Sequence, residues 1–151
     1  MSMHVVDRQV GHTEEPRLVP ASAHELLRRS DAELVAAQLA GSPDERFVHA
    51  HLAALRAGAA ILEVTGRPRR RPVPRTVWDM VAAVAPELEA WTSFFAAGAP
   101  ARAAVESGRE GVVDVDRAER TVAAAEDFQD VVRRRLLADA PEQGRLLLHA
   151  S

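Results

Sequence analysis

The chain has 151 residues and a formal net charge of −3, with 47% hydrophobic and only 4% aromatic residues. That length supports one domain with one core, and small apolar side chains favour closely packed helices. The absence of cysteine excludes disulfides, thiolate catalysis and Cys-ligated metal centres, and the absence of lysine excludes Schiff-base and P-loop lysine chemistry.

All 19 basic residues are arginine. Together with the alanine excess this points to a coding bias toward G and C, which lowers the functional weight of any single arginine. No uninterrupted apolar run of about 18 residues is present, and the N-terminal MSMHVVDRQVGHTEEPRLVP lacks the apolar core of a signal peptide. The expectation is a cytoplasmic protein without a membrane span.

Residues 1–21 are polar, interrupted by Pro16 and Pro20 and without a period, and are expected to form a disordered arm. A helical bundle is expected over 22–140, and a C-terminal tail over 141–151 that packs through Leu146–Leu148 or frays. Ser22 is a candidate cap for a first helix reaching Ala40, with Leu26, Leu27, Leu34, Ala37 and Leu39 as its apolar stripe and Gly41 as its stop. Ser42, Pro43 and Glu45 form a capping signature for a second helix that ends at Gly66. The short connection between the two predicts an antiparallel hairpin.

Prolines 68, 72 and 74 exclude a helix over 66–75, leaving an extended arginine-rich loop. Thr76 and Asp79 open a third helix facing inward through Val77, Met80, Val81 and Val84. Pro86 restarts the chain as a fourth helix, Glu87–Ala97, which carries Leu88, Trp91, Phe94 and Phe95. Gly98 and Pro100 are expected to break it before a short helical turn over Ala101–Ser107. The last helix starts near Asp114 or Asp116 and buries Val122, Ala125, Phe128, Val132 and Leu136. The fold class is therefore all-α, an antiparallel bundle of four to five helices.

Candidate chemistry is sparse. His51 falls on the apolar face of the second helix, among Phe47, Leu55, Gly58 and Leu62, about 140° around the wheel from Arg46. Across a dimer interface His51 can act as general base on a ribose hydroxyl while Arg46 steadies phosphorane charge. Alternatively His51 is a core histidine bonded to a carbonyl or carboxylate, and Arg46 a solvated first-turn residue. His49 and His51 are wrongly spaced for a shared metal, so neither a metal nor another cofactor is expected.

Arg67, Arg69, Arg70, Arg71 and Arg75 place five guanidinium groups within nine residues on a proline-stiffened backbone. Such a loop is either a solvated linker or a phosphate-binding strand for RNA or another polyanion. Arg133, Arg134 and Arg135 suit the negative end of the last helix. Trp78, Trp91, Phe94 and Phe95 are spaced for burial. The small residues Ala50, Ala54 and Gly58 suit the bundle interior or a two-fold dimer seam.

The runs RFVHAHLAALRAGAAILEVTGRPRRR, TVWDMVAAVAPELEAWTSFFAAGA and DVDRAERTVAAAEDFQDVVRR give residues 22–138 a resemblance to the small stand-alone HEPN-domain proteins of actinobacteria. The resemblance rests on helix order and small-residue texture. It implies a HEPN-like bundle, a homodimer, and a role as a nucleic-acid- or protein-binding regulatory module, with a partner encoded nearby. It also implies the alternative of a metal-independent ribonuclease, of toxin or RNA-processing type, using an Arg/His pair at the dimer interface. Arg46 and His51 are the pair with that spacing, although Phe47 stands where the nuclease pattern has a polar residue.

Overall fold

Two of the helices start where a hydroxyl on an extended residue receives an orphan amide. The Ser42 side chain accepts the Glu45 amide at 3.2 Å, and Thr76 accepts the Asp79 amide at 3.0 Å. The computed structural model describes residues 18–69, 71, 72 and 74–138. Residues 1–17 of the expected arm, Arg70 and the expected tail lie outside the described residues. Five helices follow: α1 (Ala21–Leu39), α2 (Pro43–Thr65), α3 (Val77–Val84), α4 (Glu89–Glu106) and α5 (Val115–Ala138), with a 3-10 turn at Pro86–Leu88.

α1 and α2 form the expected antiparallel hairpin. Its register is visible in descending pairs: Ser22 donates to Glu63, Ser30 to the Ala53 carbonyl, and Arg46 reaches back to the Ala37 carbonyl. α2 is the central rod and touches every other helix. Its alanines make that possible, since Ala50, Ala53, Ala54, Ala57 and Ala60 are fully buried and let neighbouring backbones come close. At Gly58 a Cβ would sit 3.3 Å from the Trp78 ring, so the indole lies directly on the α2 backbone. The small-residue stripe is thus taken up inside the chain rather than left for a dimer seam.

Several expected details change. Ser22 does not cap α1; Pro20 occupies that position without a side-chain bond, and the Ser22 hydroxyl faces Glu63 instead. The buried stripe of α1 runs through Ala23, Leu27, Ser30, Leu34 and Ala37, leaving Leu39 81% exposed. Gly98 and Pro100 do not break α4, which is continuous through Glu106. Proline removes one amide donor, but both Pro100 and Ala96, whose carbonyl loses its partner, are exposed, so water can satisfy that oxygen. Phe94 stays 43% exposed, unlike the buried Trp78 and Phe95.

Arg135 stands in the last turn of α5, as the negative helix end favours, and both Arg133 and Arg135 also have carboxylate partners on other elements. Arg133 clamps the Asp31 carboxylate of α1 at 2.7 and 2.8 Å, and Arg135 pairs with Glu87. By length and composition α2 passes the test for a helix able to cross a bilayer, as the core helix of a bundle also does, and 56% of the qualifying window is buried inside the bundle.

Two polar devices tie the bundle. Asp44, in the first turn of α2, accepts the Val113 amide at 2.8 Å and the Val112 amide at 3.3 Å, pinning the chain that leads into α5. Deeper, the Gln129 amide of α5 donates to Ser30 at 2.7 Å, and Ser30 donates to the Ala53 carbonyl at 2.6 Å, joining three helices through buried atoms. Ser30→Ala would strip Gln129 of its acceptor in a dry site. The expected loss is about 1–3 kcal/mol of stability, read from urea unfolding with an unchanged m-value.

Candidate functional site

The apolar wheel position of His51 becomes near-complete burial, with the ring 1% exposed. Phe47 stacks on it at 5.8 Å between centroids, while Trp78 and Phe95 meet it edge-on at 6.2 and 6.3 Å. Its Nε2–H donates to the Phe95 carbonyl at 2.7 Å, which fixes the neutral tautomer and leaves Nδ1 as a lone pair. That Nδ1 is buried and has no partner among the described residues. Gly98 allows this packing because a Cβ there would come within 3.0 Å of His51 Cδ2.

Burial holds the His51 pKa below its ordinary value of 6.5; the Phe95 hydrogen bond opposes this, the Arg102 and Arg117 charges reinforce it, and Glu106 opposes it. Above that ordinary value the ring is neutral in both states and contributes no pH dependence. As pH falls below it, the unfolded chain takes up a proton that the folded chain refuses, so stability declines until the depressed folded pKa is reached. The decline has an upper slope of about 1.4 kcal/mol per pH unit. His51→Gln, which keeps a donor for the Phe95 carbonyl, is expected to flatten the acid side of a Tm-against-pH curve relative to wild type.

Arg46 faces elsewhere. Its Nε donates to the Ala37 carbonyl at 3.2 Å, its Nη2 to the Ala40 carbonyl at 3.5 Å, and its Nη1 pairs with Glu119. It therefore bonds carbonyls at the negative end of α1 and links them to α5. Within one chain Arg46 and His51 are not brought together. His49, on the opposite face, lies 2.7 Å from the Glu33 carboxylate.

The 66–75 segment is non-helical, as the prolines dictate. Arg67, Arg69, Arg71 and Arg75 are all exposed, and Arg67 leans on Met80 Sδ at 3.6 Å. Among the described residues no carboxylate lies within 4.0 Å of these four guanidinium groups, whereas Arg28, Arg46, Arg102, Arg133 and Arg135 each have one. The loop presents uncommitted positive charge.

A cavity of about 150 Å³ opens beside His51, walled by Phe47, Phe94, Phe95 and Gly98, with Arg117 and Arg120 also lining it. The Arg117 guanidinium lies 5.2 Å from the Phe47 ring centroid. Arg117 and Arg120 are not among the candidates that sequence motifs single out. Their signal was the three-residue spacing on the edge of the α5 apolar stripe, next to Thr121.

A family model described as SAV_6107-like HEPN matches residues 36–133. That span runs from the last turn of α1 to Arg133 of α5 and holds both the His51 surroundings and the arginine loop. No curated protein and no solved structure matches the chain. With the family model covering well over half of the chain, and five helices among the described residues in the order the resemblance anticipated, the protein belongs to the SAV_6107-like HEPN family.

Proposed function

We propose that the protein is a HEPN-type binding module that holds a nucleic-acid backbone on its Arg67–Arg75 loop. The observation carrying this reading is the density of the loop: Arg67, Arg69, Arg71 and Arg75 are exposed and without a carboxylate within 4.0 Å among the described residues, whereas Arg28, Arg46, Arg102, Arg133 and Arg135 of the bundle are each tied to one. Guanidinium groups left in that state bind phosphates bidentately and release counterions as they do so. The loop carries no aromatic residue, so the module reads charge and backbone rather than base sequence. Self-association, implied by the family resemblance, belongs to the same proposal and is checked by sedimentation equilibrium.

The ribonuclease alternative draws less support from the geometry. A general base must come within hydrogen-bond reach of the proton it takes. His51 is 1% exposed with Nε2 bound to a carbonyl, and Arg46 is engaged with Glu119. Labelled single-stranded RNA incubated with the protein in EDTA separates the readings. Retention without cleavage, lost when the loop arginines become Gln, is the expected result. Chelator-resistant cleavage abolished in His51→Gln would replace the module by an enzyme, and retention unaffected by loop neutralisation would remove the loop from the proposal.

A further inference from the structure

The cavity beside His51 has features that the loop proposal does not use. Its walls are aromatic, formed by Phe47, Phe94 and Phe95, and Gly98 contributes no side chain. A volume of about 150 Å³ is that of an engineered apolar cavity known to admit benzene, so one ring fits and two do not. Arg117 and Arg120 line the same space, the Arg117 guanidinium over the Phe47 ring, and neither has a carboxylate within 4.0 Å among the described residues. The imidazole of His51 also lines it, itself 1% exposed and with Nδ1 unpartnered.

Each feature restricts the occupant. An apolar ring is favoured by the aromatic walls, since transfer from water stabilises it roughly in proportion to the area covered. A single anionic group is favoured by the arginine pair, and planar carboxylates match guanidinium geometry. Phe94, 43% exposed, is then explained as a wall that remains partly wet until a ligand covers it. We propose that this cavity is a binding site for a compact monocyclic carboxylate of benzoate size, its ring between Phe47, Phe94 and Phe95 and its carboxylate on Arg117 and Arg120.

With Nε2–H committed to the Phe95 carbonyl and Nδ1 buried, the imidazole offers no free donor, and the carboxylate is left to the two arginines. No chemical step is required of His51 in this role.

The test is a titration of the full chain with benzoate, a hydroxybenzoate, acetate, inorganic phosphate and toluene, followed by the NMR signals of His51 and the Trp78 indole. Saturable 1:1 shifts are expected for the two aromatic acids, with acetate, phosphate and toluene at least about tenfold weaker because each lacks either ring or charge. Arg117→Gln with Arg120→Gln is expected to weaken benzoate about tenfold while leaving toluene unchanged. Ala97→Phe, which adds a ring at an exposed lining position, is expected to abolish binding without perturbing the core. Absence of saturable benzoate binding by wild type overturns the proposal. So does equal binding of phosphate or acetate, or benzoate affinity indifferent to both sets of substitutions.

Discussion

Phe128→Ala is expected to lower stability by about 3–5 kcal/mol, the range for deleting a large aromatic side chain from a closed core. The ring is 0% exposed and lies 5.9 Å from Trp78, 5.7 Å from Trp91 and 5.5 Å from Phe95, measured between centroids. It carries α5 across to α3 and α4, so its removal opens a void shared by three helices. Collapse cannot fill that void, because Trp78 rests on the α2 backbone at Gly58 and has no shorter approach available. For a chain of this size each kcal/mol corresponds to about 2–4 °C, which places the expected fall in Tm near 10 °C or more by calorimetry. Phe128→Leu, keeping most of the apolar volume, should lose less than half as much. A Phe128→Ala variant within about 1 kcal/mol of wild type would show that the aromatic cluster does not hold the bundle together.

Local signals were legible because they are complete within a few residues. Ser42 and Thr76 each act on an amide three positions ahead, and the α5 stripe Val122, Ala125, Phe128, Val132, Leu136 needs only its own period to be recognised. Pro100 misled for a related reason. A proline announces a lost hydrogen bond wherever it stands, but whether that loss ends a helix depends on which side faces water, and this is decided by packing. Ser30 was invisible as a core residue since its partners are 23 and 99 positions away. The same distance hid the roles of Arg46, Arg133 and Arg135, whose partners Glu119, Asp31 and Glu87 lie on other elements.

The candidate site shows the same division. His51 on an apolar face was readable from the wheel, and its carbonyl partner was among the alternatives; that the partner would be Phe95, and that a cavity would open between α2, α4 and α5, depends on Gly98 lying against the imidazole. Arg117 and Arg120 gain meaning only from that neighbour. By contrast the loop arginines could be recognised from density and proline spacing alone, because nothing in the described bundle competes for them.

That lack of competition sets the size of the second large effect. Replacing Arg67, Arg69, Arg71 and Arg75 by Gln removes four of the five loop cations, for which no internal carboxylate lies within 4.0 Å among the described residues, so the fold should keep its stability while the binding surface loses most of its charge. For single-stranded nucleic acid the slope of log K against log salt is about −0.7 per neutralised phosphate, so four engaged guanidinium groups contribute about −3 to the wild-type slope. On that basis a fourfold rise in salt weakens wild-type binding by roughly fiftyfold, and the substituted protein by a few-fold at most. Circular dichroism and Tm measured alongside should coincide for the two proteins. A salt slope that survives the four substitutions would locate the polyanion surface elsewhere, with the exposed arginines of α5 as the next residues to remove.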